Sequence, residues 1–260
     1  MELGLKGKTA IVTGGSTGIG RATALAFARE GVNVAICARS ADNVAEVVET
    51  AKKEGYDIYG IALDITDTPR YREFIADVND KYGRLDILFS NAGRPNDKYL
   101  LEMDREAWDA CIDLNLTAVW EGAKIAVPYI RKMGGGSIVS TSSLAARIPS
   151  TRRGIYAITK AGVSSMTVML ASELAKDNIR VNAVSPGVVV SEMVNAGLRQ
   201  NPDMDYLTRS TIMQRLGQPE EVASAVVFLC SDMASFITGE VLDVSGGKFR
   251  VQDPWCSWER

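Results

Sequence analysis

The chain has 260 residues, 46% apolar and 23% charged, with a formal net charge of −3, which suits one large α/β domain and gives no footing for nucleic acid as a bulk partner. Histidine is absent, which excludes Ser/His/Asp and Cys/His catalysis and removes the commonest transition-metal ligand, so no metal site is expected. Cys37, Cys111, Cys230 and Cys256 form no Cys-x-x-Cys pair, and no apolar run reaches the roughly 18 residues of a membrane span.

Residues 1–8 carry no secretory pattern, so a cytoplasmic protein is the expectation. Residues 8–13 are a short apolar run, read as a buried parallel strand. Gly14-Gly-Ser-Thr-Gly-Ile-Gly20 follows, and a helix then runs through 21–30 to stop at Gly31. Strand, glycine turn and helix are the context of a phosphate-binding turn, in which backbone N–H groups and the helix N-terminus meet a pyrophosphate. Gly14, Ser16, Thr17, Gly18, Ile19 and Gly20 are therefore placed against a cofactor. The gap from Gly14 to Gly18 is longer than in the usual dinucleotide fingerprint.

Residues 32–37 are the second strand, with Cys37 expected to be buried. Many dinucleotide folds follow this strand with an acid for the adenosine ribose, but here Ala38 and Arg39 follow. A guanidinium pairs with the 2′-phosphate that a carboxylate repels, so NADP(H) is favoured over NAD(H). The alternative for Arg39 is a solvated surface charge. A helix over 41–54, a strand over 57–62 and a helix over 67–82 repeat the alternation. Asp64, with Ile65 beside it, either accepts from the adenine amino group or caps the next turn.

Residues 86–90 are the fourth strand, and Asn91-Ala92-Gly93 is an exit small enough for close backbone approach. Asn115 falls within a helix of about 104–131, a poor place for it on propensity. Either a buried polar task or an internal hydrogen bond accounts for it. Residues 136–141 are the fifth strand, and Ser143 lies just beyond. A helix over about 155–177 carries Tyr156 and Lys160, four apart and so on one face. A nearby ammonium favours the phenolate, so the tyrosine is expected to titrate lower and to exchange protons near neutral pH. Residues 179–184 are the sixth strand, followed by Ser185-Pro186-Gly187. Residues 188–217 read as a substrate lid or as an ordinary long connection. A helix over 219–230, which buries Cys230, and a strand over 240–244 close the sheet. The tail, 249–260, is aromatic and is expected to dock on this subunit or a neighbour.

Thr13-Gly-x-x-x-Gly-x-Gly20, Asn91-Ala-Gly93, Asn115, Ser143, Tyr156-x-x-x-Lys160 and Pro186-Gly187 occur in this order. With them the chain resembles the short-chain dehydrogenase/reductase family over nearly its whole length. The expected fold is a doubly wound, Rossmann-type parallel sheet of about seven strands with helices on both faces. It forms a single domain over 1–260, with ligands at the strands' C-terminal ends. The resemblance implies that Ser143 hydrogen-bonds the substrate oxygen and that Tyr156 transfers the proton. It implies that Lys160 binds the nicotinamide ribose and that Asn115 holds a water linking Lys160 to solvent. It also implies that Asn91, Ala92, Gly93, Pro186, Gly187, Val189 and Ser191 border the cofactor, Ser191 standing where the family usually has Thr. A homotetramer, built partly through the tyrosine helix and the one before it, is implied as well.

The expected activity is NADP(H)-dependent interconversion of a ketone and a secondary alcohol of moderate size, with hydroxysteroids or bile acids in that set. The alternative is a 3-oxoacyl-thioester ([acyl-carrier-protein] or CoA) reductase of lipid metabolism. In the family such enzymes place basic residues near the fifth strand and late in the tyrosine helix. Gly134 and Asp177, with Lys176 beside the latter, occupy those places here, which counts modestly against a carrier. A non-catalytic dinucleotide sensor is a remote alternative. Arg147, Arg152 and Arg153 either meet an anionic part of the substrate or are solvated loop charges.

Overall fold

The structure is a computed structural model, and it describes residues 2–149, 153–190, 206–248 and 250–251. Arg152, Ser191, the middle of the expected lid and nearly all of the aromatic tail lie outside the described residues.

Seven parallel strands form one sheet in the order β3-β2-β1-β4-β5-β6-β7. They are β1 (Thr9–Thr13), β2 (Asn33–Ala38), β3 (Ile58–Ala62), β4 (Ile87–Ser90), β5 (Gly136–Thr141), β6 (Ile179–Pro186) and β7 (Val241–Val244). The longer helices between them are α1 (Gly18–Arg29), α2 (Ala41–Lys53), α3 (Thr68–Tyr82), α4 (Arg105–Ile112), α5 (Ala118–Lys132), α6 (Gly154–Leu174) and α7 (Pro219–Cys230). The expected doubly wound architecture is met. Element ends shift by a residue or two where caps decide them. Asp67, for example, accepts the Arg70 N–H at 3.2 Å, so α3 opens one residue later than its periodicity alone implies.

The strands read as continuous apolar runs because both faces of the sheet are covered. Val34 and Ile36 of β2 pack with α1, α2 and α7 on one face. Ala35 and Cys37, one residue out of step, pack with α3, α5 and α6 on the other. Burial pushes the Cys37 and Cys230 thiols up to about 12, as inert core groups. Among the described residues no helix is long and apolar enough to cross a membrane.

The expected helix over 104–131 is two helices joined by a π-helical turn at Asp113–Thr117. The apolar periodicity continues across that turn, so the sequence hides the extra residue. The two described ends of the expected lid are tied together: Val190 N–H donates to the Gly217 carbonyl at 2.8 Å and Gly217 N–H to the Val188 carbonyl at 3.0 Å.

Strand order reverses direction between β1 and β4, which opens a crevice at their C-terminal ends. At the opposite end Asp86 fastens the same strands. Its buried carboxylate accepts the Thr9 N–H at 2.8 Å and two bonds from Arg84 at 2.8 and 2.7 Å. Asp86→Ala leaves the Thr9 N–H without its charged acceptor and is expected to cost about 2 kcal/mol. The check is a lowered urea midpoint with an unchanged slope, and an unchanged midpoint would show that β1 and β4 do not depend on this clamp.

Candidate active site

The crevice is a cleft of about 300 Å³, within the range of small-molecule sites, and its walls include Gly14, Thr17, Arg39, Asp64, Asn91 and Arg94. Its floor is the glycine turn. Gly14 has φ +63°, and a Cβ there would lie 2.9 Å from the Ala92 Cα. A Cβ on Gly20 would lie 2.1 Å from the Gly14 carbonyl oxygen, so the turn folds directly onto its own helix. Gly18 has φ +51°, and a Cβ there would meet nothing within 4 Å. Helix α1 begins there with no acidic residue in its first turn and no side-chain cap on its N–H groups. Those donors and the positive end of the helix dipole suit a pyrophosphate, and the residues present fit a dinucleotide.

Ser16 is buried at 8% exposure and lines the cleft, while Ile19 turns away into the core. Ile65 is buried on the cleft wall. Asp64 caps its own turn, accepting the Thr66 N–H at 3.0 Å and the Thr66 hydroxyl at 2.8 Å. It also lines the cleft, so the capping and cofactor-facing readings are compatible. Burial raises its carboxyl, but the Thr66 bonds and the charges of Arg39 and Arg94 outweigh that and hold it below the usual range.

Asn91 braces the crevice as well as lining it. Its Nδ2 donates to the Gly14 carbonyl at 3.3 Å, and its Oδ1 accepts the Thr141 hydroxyl at 3.1 Å. Thr13 completes the brace, its hydroxyl oxygen accepting the N–H groups of Asn91 and Ala92 at 3.0 and 3.1 Å. Pro186 ends β6, and a Cβ on Gly187 would lie 2.9 Å from the Ser245 Cα. Val189 sits in an isolated bridge with Gly217.

Ser143, Tyr156, Lys160 and Asn115 converge beside this cleft. Asn115 is fully buried in the π turn. Its Oδ1 accepts the Arg94 N–H and its Nδ2 donates to the Arg94 carbonyl, both at 3.0 Å. Nδ2 also approaches the Cys111 sulfur at 3.1 Å. Gly93 lets this happen, because a Cβ there would sit 2.6 Å from Asn115 Oδ1. Lys160 is 3% exposed, and its Nζ donates to the Thr141 carbonyl at 2.7 Å. Ser142 anchors α6 at this point, donating to the Lys160 carbonyl at 3.0 Å. Ser143 accepts the Ala145 N–H at 3.1 Å and shares a hydrogen bond with Tyr156.

The expected lowering of the tyrosine pKa is not what this arrangement gives. Burial raises the Tyr156 phenol, and the Ser143 hydrogen bond and the Arg153 charge only partly oppose that. Burial also brings Lys160 down to about 8. The ammonium is 5.7 Å from the tyrosine ring centre and is directed to a carbonyl, so desolvation of both groups wins over their mutual attraction.

Arg147 and Arg153 are paired loop charges. Arg147 bonds Asp243, which Arg250 also engages, and Arg153 Nε meets Asp97 at 2.8 Å. Thr13 belongs to the glycine-turn motif, but its bracing task, like the places of Thr141, Cys111 and Arg94 at the site, is a finding of the structure. Thr13 and Thr141 stand at strand ends, the one signal that marked them. Cys111 and Arg94 reach the site through the π turn and the Asn115 grip, which no spacing rule reveals.

A family model described as enoyl-(acyl carrier protein) reductase matches residues 14–248. The 3-oxoacyl-[acyl-carrier-protein] reductase FabG of Thermotoga maritima is 40% identical over 243 residues, covering 94% of this chain and 98% of that protein. Dehydrogenase/reductase SDR family member 4 of Oryctolagus cuniculus is 36% identical over 244 residues, covering 94% of each. The structure of L-sorbose reductase from Gluconobacter frateurii, complexed with NADPH and L-sorbose, superposes with a TM-score of 0.91. It is 31% identical and covers 97% of this chain and 100% of that one. The matched span, 14–248, includes the crevice and the four converging side chains, and the chain belongs to the short-chain dehydrogenase/reductase family of oxidoreductases.

Proposed function

We propose that the protein interconverts a ketone and a secondary alcohol with NADP(H), with Ser143 and Tyr156 at the reacting oxygen. The observation that carries this reading is the convergence of two hydrogen-bonded hydroxyls, a buried ammonium and a buried amide beside the cleft that the glycine turn lines. Bound in that cleft, the nicotinamide dinucleotide supplies or accepts the hydride. The N–H groups of α1 hold its pyrophosphate, and Arg39 favours the 2′-phosphate form. Among the described residues Arg39 has no ion-pair partner that would divert it.

The Ala145 N–H holds the Ser143 oxygen, which leaves the hydroxyl proton free to donate to a substrate carbonyl. Tyr156 stays protonated through neutral pH because burial raises its phenol, and it delivers its proton to the alkoxide as that forms. The Lys160 ammonium then stabilises the phenolate left behind. Asn115 fixes the backbone that carries Gly93 and Arg94 along the cleft wall. In the alcohol-to-ketone direction each proton moves the other way.

A free carbonyl compound of moderate size is the preferred substrate, with hydroxysteroids or bile acids in that set. The 3-oxoacyl-thioester reading is favoured by the relatives named FabG. Against a carrier stands the pairing of Arg131 with Asp177 at 2.6 Å, which removes a positive charge from the surface where an acidic carrier would dock. A dinucleotide sensor would have no use for the complete hydroxyl–ammonium set.

We also propose a single catalytic domain in the cytoplasm, assembled as a homotetramer and without a nucleic-acid partner. The three described cysteines are free and buried, which suits a reducing compartment. Trp120, Ile158, Val168 and Met169 are exposed on α5 and α6, apolar positions that a neighbouring subunit would cover. Sedimentation at the mass of a monomer would contradict the assembly.

The deciding assay is NADPH- and NADH-linked turnover of free ketones, steroids, bile acids and a 3-oxoacyl thioester. A free ketone reduced fastest with NADPH is expected, whereas a dominant thioester rate selects the second reading. Tyr156→Phe is expected to lower kcat/KM by about 10³-fold while leaving the dinucleotide Kd unchanged. Full activity in that variant would remove Tyr156 as the proton donor. Because Lys160 loses its proton above about 8, the reduction rate is expected to be flat below that pH and to fall above it. A rate still rising at pH 9 would contradict the role given to the ammonium.

A further inference from the structure

Arg94 is the residue that the site's geometry presents and that the reading above leaves without a task. It follows Gly93 at the exit of β4, lines the cleft and is solvent-exposed there. Its main chain is held on both sides: Asn115 grips its N–H and its carbonyl, and Pro95 restricts its backbone to extended conformations. A long side chain is thus presented from a rigid base. Among the described residues no carboxylate is close enough to pair with it.

The strand order fixes where that side chain acts. The phosphate-binding turn follows β1, Arg39 follows β2 on one side of it, and Arg94 follows β4 on the other. The two guanidinium groups therefore flank the turn. Arg39 is on the side of β3 and Asp64, where the adenosine end lies, whereas Arg94 is on the side of Asn115 and Lys160. Arg94 lines the same cleft as Gly14, Thr17 and Asp64, beside the phosphate-binding turn.

We propose that Arg94 is a cofactor-binding residue that neutralises the dinucleotide's diphosphate from the side opposite the N-terminus of α1. The inference rests on the cofactor reading above and adds a second, separable electrostatic contact. Arg39 answers to the 2′-phosphate, which distinguishes the two dinucleotides. Arg94 answers to the diphosphate, which both share. Its hold is coupled through Asn115 to the π turn, so the contact that binds the phosphates also steadies the catalytic wall.

The test is isothermal titration of NADPH and NADH into the unsubstituted protein, Arg94→Leu, Arg94→Lys and Arg39→Leu. Arg94→Leu is expected to weaken both dinucleotides alike, by about tenfold, the worth of one charge-assisted contact. Arg94→Lys is expected to recover most of that loss, and Arg39→Leu to weaken NADPH alone. Unchanged Kd values in Arg94→Leu, with normal binding by the unsubstituted protein, overturn the proposal and leave the cofactor reading standing. A loss confined to NADPH also overturns it, because Arg94 would then be a second 2′-phosphate contact. If the unsubstituted protein binds neither dinucleotide, the cofactor reading falls and this proposal falls with it.

Discussion

The Asn115 side chain is fully buried and uses both ends of its amide on the backbone of Arg94. That grip requires a residue without a Cβ at position 93 and an extra residue in the helix that carries Asn115. Each requirement is costly alone: a polar side chain in a helix interior, a π turn and a flexible glycine at a strand exit. Together they give both ends of the Asn115 amide a partner, and they set the path of the chain between the cleft and the Ser143 and Tyr156 hydroxyls. The far end of the same segment is fixed by Thr13 and Asn91, which join the exits of β1, β4 and β5. The crevice is thus braced across three strands.

Charge in the site is arranged around scarcity of water. Lys160 is the buried cation, and its desolvation brings its proton within reach of physiological pH. Tyr156 responds in the opposite direction and keeps its proton. A protonated phenol beside an ammonium that keeps its charge up to about 8 is ready to give a proton once negative charge develops on a neighbouring oxygen. Outside this pair the cleft walls carry Arg39, Arg94 and Asp64; burial raises the Asp64 carboxyl, but the Thr66 hydrogen bonds and the two arginine charges hold it below the usual range.

Much of this was legible in the sequence, for identifiable reasons. Buried parallel strands read as apolar runs, and glycines at 14, 18 and 20 mark a turn that other residues cannot make. Ser143, Tyr156 and Lys160 could be grouped because a strand end and one helix face bring them together. Asn115 stood out as a polar residue in the wrong place. The π turn was not legible, because its inserted residue leaves the apolar pattern on either side intact. The tyrosine's upward shift was not legible either, because spacing reports which groups are near and not how dry they are. The arginines near the substrate loop looked equivalent in sequence, yet Arg147 and Arg153 find carboxylates on distant elements, Asp243 and Asp97.

The central claim is carbonyl reduction with proton delivery from Tyr156. The most direct measurement uses NADPH deuterated at both hydrogens of nicotinamide C4 and the fastest ketone of the substrate panel, with the alcohol product analysed by mass and proton spectra. The account predicts one deuterium on the carbinol carbon and none on the hydroxyl, whose hydrogen comes from solvent through Tyr156. An alcohol without deuterium on that carbon, or no alcohol from any ketone or thioester despite tight NADPH binding, would contradict it.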